Sequence, residues 1–550
     1  MKILKRFLMI LMILLILGVA TSCDNKSANK DKDNTQITPD DDKPNSGEDK
    51  NKEHTHTGGT ATCKEQAICI ICKEPYGALS NHQWKDGVCK ICKEAQPKTK
   101  NKIVFYHTMG NSLQTVLDLA VQNFEAKYPE WEVEHIQSGG YDDVKSTALD
   151  DLKENKQPNI VYCYADHIPY YMPSGKLIDL TKYINSTDTM DVVLEVPVLD
   201  DQGNFVLDVF GNIVTESVTT KQNVGFTQEE LADFVQGYYA EGNAQNYTDF
   251  KKYGYTRDSM LSLPFVKATE VLYYNEEALK AAGITKKVNG QTVAAVPETW
   301  DELWDACAKL KAKYPNSTPL GYDSESNWFA TMCEQNGWGY TSASAPHYLF
   351  NNENTEKWLN ELKGYYKKGY FATHQYTSGL FVGGAEDGCV FSIGSSGSAS
   401  YYQTDKFKWG VAPIPGTKVG DEINRAVICQ GPSLCMLSQG DEEKDLMTWL
   451  FMKELLDPTF QAAFSMVSNY NPSRISSCYI LDYMDFLGGN DIIAVTANVA
   501  RSMIYDYFTL PVFIGSDKVR TQTGAALVNA ITGQKSPLEA LEEALKKCEE

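Results

Sequence analysis

Ile103-Val104-Phe105-Tyr106, then Leu113, Val116, Leu117, Ala120 and Phe124, then Trp131, Val133 and His135 set between Glu132 and Glu134: the stretch opening at Lys102 decides the fold class. Its first run is short, apolar and unbroken, the pattern of a buried strand. Its second set recurs at helical spacing and gives one apolar face, which Pro129 stops. Its third set alternates with period two, a strand again. Strand, helix, strand at this spacing implies a parallel sheet and an α/β fold. Later segments agree. Thr299-x-x-Glu302 forms a capping-box pattern after Pro297, with Trp300, Leu303, Cys307 and Leu310 on one helical face. Asp457-Pro458 and Ser536-Pro537-Leu538-Glu539 open two further helices with a cap and a proline in the first turn. Between Val192 and Val218 the chain alternates apolar and polar residues around Asp201-Gln202-Gly203 and Gly211-Asn212, which predicts a β-hairpin insertion at about 190–220.

The residues before Lys102 read differently. Lys2, Lys5 and Arg6 precede an apolar run from Phe7 to Leu17, too short for an ordinary membrane span and suited to a secretory signal over 1–22. Ala20-Thr21-Ser22-Cys23 resembles a bacterial lipobox. That likeness implies cleavage before Cys23, its acylation, and a membrane anchor carrying more than one acyl chain. Residues 23–57 are polar and charged and predict a flexible acidic tether. Residues 58–97 form a small Cys-rich module. Cys69-x2-Cys72 and Cys89-x2-Cys92 are two knuckles whose thiolates could converge on one structural zinc, as in a zinc ribbon, with Cys63, His54, His56 and His82 as spare donors. Two disulfides are the alternative outside the cell. The string from His56 to Gly77 resembles a short Cys-rich repeat of surface proteins in anaerobic Gram-positive bacteria, which bears on location. The remaining eight of the 14 cysteines are irregularly spaced and read as mostly buried thiols, with one or two bridges open.

Composition removes some function classes. A formal net charge of -21 opposes binding to nucleic-acid phosphates, though an acidic chain can still hold a locally basic pocket. The sequence lacks a G-x-x-x-x-G-K-[ST] loop, a G-x-S-x-G elbow and an H-E-x-x-H helix, so it is no energising ATPase and carries no signature of those hydrolases. With 72 acidic residues, a carboxylate pair beside any cleft leaves a secreted hydrolase open as a second function class, and the Cys-rich module leaves a surface adhesin as a third.

Four further markers follow in order: Phe105-Tyr106-His107-Thr108-Met109-Gly110; Pro264-Phe265 with Val271-Leu272-Tyr273-Tyr274-Asn275; Pro297-x-Thr299-Trp300-Asp301-Glu302-Leu303; and Phe391 to Ser398 with Trp409-Gly410-Val411-Ala412-Pro413. The ordered set resembles the extracellular solute-binding proteins (family 1) of carbohydrate-type ABC importers, and within them the glycerol-3-phosphate-binding members. The resemblance implies a two-lobed, periplasmic-binding-protein-like class II fold with an interlobe cleft: 102–271 and 409–465 in lobe 1, 272–408 and 466–550 in lobe 2. It implies a monomer that captures a polar solute such as glycerol-3-phosphate, a glycerophosphodiester or a related sugar. It also implies delivery to ABC permease subunits, with no catalysis and no cofactor for transport. Residue by residue, it carries over Tyr141 in Gly140-Tyr141, Ser395 in Ser395-Ser396-Gly397-Ser398, Gly431 in Gly431-Pro432-Ser433-Leu434, Tyr470 in Tyr470-Asn471-Pro472, and Arg520. A glutamate of those relatives meets Ala165 here, with Asp166 beside it as the substitute, and their pocket tryptophan falls near Ser324 to Ser326. Lys267 is a further cation near the expected pocket. Read without the likeness, Arg520 is an ordinary helix arginine, the tyrosines are packing residues and the serine run is a turn.

Overall fold

Strands that are apolar at every position need cover on both faces. The computed structural model describes residues 55–85, 88–94, 100–209, 211–245, 247–374 and 376–550. These fall into two units: residues 55–100 with 196–214, and 101–195 with 215–550. The leader at 1–22, Cys23 and nearly all of the tether lie outside the described residues.

In the larger unit the chain runs through β1 (Asn101–His107), α1 (Asn111–Lys127), β2 (Trp131–Gln137), α2 (Tyr141–Glu154) and β3 (Ile160–Cys163). The α1 helix ends where Tyr128 N–H donates to Phe124 O, one residue before Pro129. After a long excursion the short β4 (Leu263–Pro264) leads into β5 (Glu270–Asn275), α3 (Trp300–Lys313), β6 (Leu320–Tyr322), α4 (Glu325–Asn336), β7 (Phe371–Thr373), β8 (Phe391–Ser395) and β9 (Trp409–Pro413). Then come β10 (Ser433–Met436), α5 (Glu442–Leu455) and α6 (Pro458–Ser468), and later α7 (Ser516–Thr532) and α8 (Pro537–Glu549).

Two five-stranded sheets result, ordered β4-β10-β3-β1-β2 and β7-β6-β8-β5-β9. In the first, β1 runs parallel to β2 and β3, while β10 is antiparallel to β3 and β4. In the second, β6 is parallel to β7 and β8, and β5 is antiparallel to β8 and β9. The first sheet sorts its side chains by alternation. Ile160, Tyr162, Leu434 and Met436 pack with Trp449 and Phe451 on one face, and Val161, Cys163, Cys435 and Leu437 pack with Val144 and Tyr171 on the other. The second sheet's core is aromatic: Trp300, Trp304, Tyr322 and Phe371 gather around Trp328, whose ring stacks 4.6 Å from Tyr322.

The chain passes between the two sheets at Pro264–Glu270, Gln430–Ser433 and around Asn471. These passages bond to one another: Val266–Lys267 pairs with Asn471–Pro472, and Ala268 pairs with Gln430. The second passage differs from the partition by sequence, which returned the chain to lobe 1 at 409. Trp409–Pro413 is instead the edge strand β9, antiparallel to β5, so the return falls at Gln430–Ser433. Strands Thr189–Pro197 and Thr215–Asn223 pair in a two-stranded sheet over the segment read as a hairpin.

Helix starts follow their caps. Asp457 accepts from Thr459 N and Phe460 N, and Ser536 exchanges both bonds of its box with Glu539. Thr299 accepts from Glu302 N, but the Glu302 carboxylate accepts from Glu298 N, one residue beyond a closed box. Among the described residues every cysteine is a free thiol, and no helix is long and apolar enough to cross a membrane.

Candidate functional site

Three of the six residues singled out by sequence, Asp166, Gly431 and Arg520, line one pocket together with Tyr164, Gln430 and Ser516. Each is placed by its element. Asp166 sits in a single 3-10 turn just past the C-terminal end of β3. Gly431 lies on the second passage between the sheets at φ +106, where an added Cβ would come within 2.7 Å of Val266 O. Arg520 is one helical turn after Ser516 on α7, so both face the same way near that helix's N-terminus. Its guanidinium lies 5.7 Å from the centroid of the Tyr164 ring, and its Nη2 donates to Asn327 Oδ1 at 3.1 Å.

The other three continue the same neighbourhood. Tyr141 stacks on Tyr164 at 3.9 Å and on Tyr162 at 5.5 Å. Tyr470 packs on Gly397, whose added Cβ would meet its ring at 3.0 Å, and Ser395 Oγ accepts from Gly397 N at 3.2 Å. Two polar atoms are left over. The Tyr141 hydroxyl and Asp166 Oδ1 are buried with no hydrogen-bond partner among the described residues; His167 Nε2 stands 3.8 Å from that oxygen, beyond bonding reach. Buried polar atoms are normally paired, and of these two residues Asp166 lines the pocket.

Charge around the pocket is mostly spent internally. Lys267 is fully buried and bonded to Glu241, to Gly431 O at 3.2 Å and to Ser433 Oγ at 3.1 Å. It therefore buttresses the Gly431 passage and is not the spare cation expected from its position in the sequence. Lys145 bridges Asp142 and Asp517 at 3.0 Å each, which neutralises the acidic first turn of α7. Arg520 donates to the amide oxygen of Asn327 and lies over the Tyr164 face, with five N–H donors in its planar fork.

A family model described as bacterial extracellular solute-binding protein matches residues 120–477. The chain belongs to that family. It is 24% identical over 471 residues to the sn-glycerol-3-phosphate-binding periplasmic protein UgpB of Escherichia coli, covering 82% of this chain and 93% of that one. Two solved structures share the fold. UgpB from Mycobacterium tuberculosis in complex with glycerophosphocholine has a TM-score of 0.61 at 17% identity, over 82% of this chain and 98% of that one. The cyclic alpha-maltosyl-1,6-maltose binding protein from Arthrobacter globiformis has a TM-score of 0.59 at 14% identity, over 81% of this chain and 97% of that one.

In this solute-binding protein the sequence did not single out Tyr164, which lines the pocket, nor Tyr162 and Asn327 next to its members. Tyr162 and Tyr164 alternate with Cys163 at the C-terminal end of β3, and that alternation was the available signal. Asn327 links Arg520, Gln430 and Glu270, with its Oδ1 also accepting from Gln430 Nε2 at 3.2 Å. An amide beside Trp328 and Phe329 on the buried face of α4 was its only mark. Ser324 caps α4 and bonds Ser326 across 3.2 Å, while Trp328 is wholly buried in the aromatic core.

The metal reading of the Cys-rich module changes. Cys69, Cys72, Cys89 and Cys92 do not converge as one set. Cys89 and Cys92 gather with Cys63 and His82, and Cys69 and Cys72 gather with His56. The reason is local: each knuckle folds back on its own first cysteine, Cys69 N donating to Glu74 O and Cys89 N donating to Glu94 O.

Proposed function

We propose that this protein captures a small phosphorylated polyol, glycerol-3-phosphate or a glycerophosphodiester, on the outer side of a cell membrane and passes it to the permease of an ABC importer. The observation that carries the reading is Arg520: a guanidinium at the start of a helix, opening into a pocket where Asp166 offers an unpaired oxygen. The planar fork suits phosphate oxygens, and the carboxylate suits polyol hydroxyls. Tyr141, Tyr470 and Ser395 extend the hydroxyl lining, and Gly431 lets backbone approach. The names borne by the Escherichia coli and Mycobacterium tuberculosis relatives point to the same ligand class.

The passages at Gln430–Ser433 and Asn471 serve as the hinge. A ligand held from both sides favours closure by its differential affinity for the closed form. Capture and release involve no chemistry and no cofactor; the protein acts as a monomer tethered through acylated Cys23.

A sugar or oligosaccharide is the second reading, supported by the maltose-type neighbour of nearly equal TM-score and by the tyrosine stack beside the pocket. Titration calorimetry with sn-glycerol-3-phosphate, glycerophosphocholine and maltotriose separates the two. Arg520→Ala is expected to weaken a phosphate ligand by about 1.5–3 kcal/mol, roughly 10- to 150-fold, the scale of a charged hydrogen bond. Binding of maltotriose alone, or phosphate affinity unchanged in the variant, would overturn the phosphate reading.

A further inference from the structure

We infer that the Cys-rich module carries two zinc ions, one in each knuckle: a closed site at Cys63, His82, Cys89 and Cys92, and a three-donor site at His56, Cys69 and Cys72. The donor atoms of each group lie within 4.8 Å of one another. In the closed site Cys63 Sγ and Cys89 Sγ are 3.7 Å apart, and Cys92 Sγ is 3.3 Å from His82 Nδ1. Two thiolates on one tetrahedral zinc, each with a Zn–S bond of about 2.3 Å, stand about 3.8 Å apart. A disulfide would need about 2.0 Å. Three sulfurs and one imidazole complete a four-coordinate structural site.

The two knuckles repeat one backbone design. Cys69 O accepts from Lys73 N and Cys69 N donates to Glu74 O, both at 2.9 Å; Cys89 O accepts from Lys93 N at 3.0 Å and Cys89 N donates to Glu94 O at 2.8 Å. Lys73 and Lys93 both adopt positive φ, 67° and 66°. The histidines match as well. His56 stacks on Tyr76 and His82 stacks on Trp84, and each presents Nδ1 to the second cysteine of its knuckle, at 3.5 Å and 3.3 Å. Behind His82, Nε2 faces the Glu94 carboxylate at 4.0 Å, and Lys64 holds that carboxylate at 3.2 Å.

The module's interior supplies the independent argument. Its buried apolar side chains among the described residues are Cys63, Ala67, Cys69 and Cys89, whereas Ile68, Ile70, Ile71, Leu79, Val88 and Ile91 are exposed. A segment this short with its aliphatic residues outside has almost no hydrophobic core, and metal binding then supplies the folding free energy. The burial is centred on the sulfurs, which is where a metal would stand.

Elemental analysis of the full chain after equilibration with zinc and gel filtration is the test. Two zinc ions per chain are expected. Cys63→Ser should remove one, and so should Cys69→Ser. Cobalt replacement guards against variants that merely unfold: His82→Cys should keep the count at two and strengthen the thiolate-to-cobalt charge-transfer absorption by about a third at that site. A single ion that survives both Cys63→Ser and His82→Gln would mean four cysteines on one metal and overturn the inference. So would a metal-free module whose mass shows paired disulfides.

Discussion

Glu270 offers the sharpest test of the pocket's surroundings. It is wholly buried at the head of β5, with Oε2 accepting from the Tyr322 hydroxyl at 2.7 Å and Oε1 from Asn327 Nδ2 at 3.1 Å. Burial withholds water from the carboxylate and pushes its pKa from an ordinary 4.5 up to about 7; Tyr322, Asn327 and Arg520 pull the other way, and Asp323 adds to the rise. A raised carboxyl pKa means that the native state keeps a proton the unfolded chain has released. Stability therefore falls as pH climbs from about 4.5 to about 7 and levels off beyond. A gap of about 2.5 pK units at about 1.4 kcal/mol each makes the full loss about 3.5 kcal/mol, of which about 3 kcal/mol falls between pH 4.5 and 8. Glu270→Gln removes the titration while keeping the bonds, because Nε2 can donate to the Tyr322 oxygen and Oε1 can still accept from Asn327. Urea unfolding of both proteins from pH 4.5 to 8 gives the readout, since other titrating groups cancel in the difference. The variant should gain on the parent by about 3 kcal/mol across the window. A difference that stays flat with pH would refute the buried-carboxylate reasoning.

Three further outcomes follow from the packing. Gly431→Ala, which forces a side chain onto φ +106 against Val266 O, should cost about 1–3 kcal/mol in thermal unfolding and weaken ligand binding. Lys267→Met should cost about 3–5 kcal/mol by stranding buried Glu241, whereas Lys267→Met combined with Glu241→Leu should recover most of it in urea titrations. Asp457→Ala, losing bonds to Thr459 N at 2.8 Å and Phe460 N at 3.2 Å, should lower stability by about 1 kcal/mol and leave affinity unchanged.

Local signals read well from sequence, and pairing over distance did not. The opening strand, helix and strand could be placed because each carries its own period and its own stop. The caps at Asp457 and Ser536 are likewise decided within four residues. Strand β9 also looked like a strand, but its membership depends on β5, far away in the chain, and its half-buried edge pattern does not say which sheet it borders. The Cys-x2-Cys spacing revealed two knuckles, yet which donors close each one depends on where the hairpins return His56, Cys63 and His82. Lys267 stands out in the sequence as a further cation near the pocket, but the ion pair that occupies it is not legible there, because Glu241 comes from the excursion between β3 and β4, which carries no periodic mark. Arg520 became a candidate only through family likeness; the contact with Asn327 that aims it was invisible beforehand.

The order of the first sheet has a consequence for how the molecule is made. Strand β10 inserts between β3 and β4 although it is synthesised after all five strands of the second sheet, and the second sheet's helices α7 and α8 are synthesised later still. A growing chain thus holds an open seam in its earliest body until Met436 emerges, and its later body lacks the packing of α7 and α8 until those helices follow. Neither half matures ahead of the other, so an interrupted chain yields two unfinished bodies with bare strand edges, the kind of surface that sticks to its neighbours.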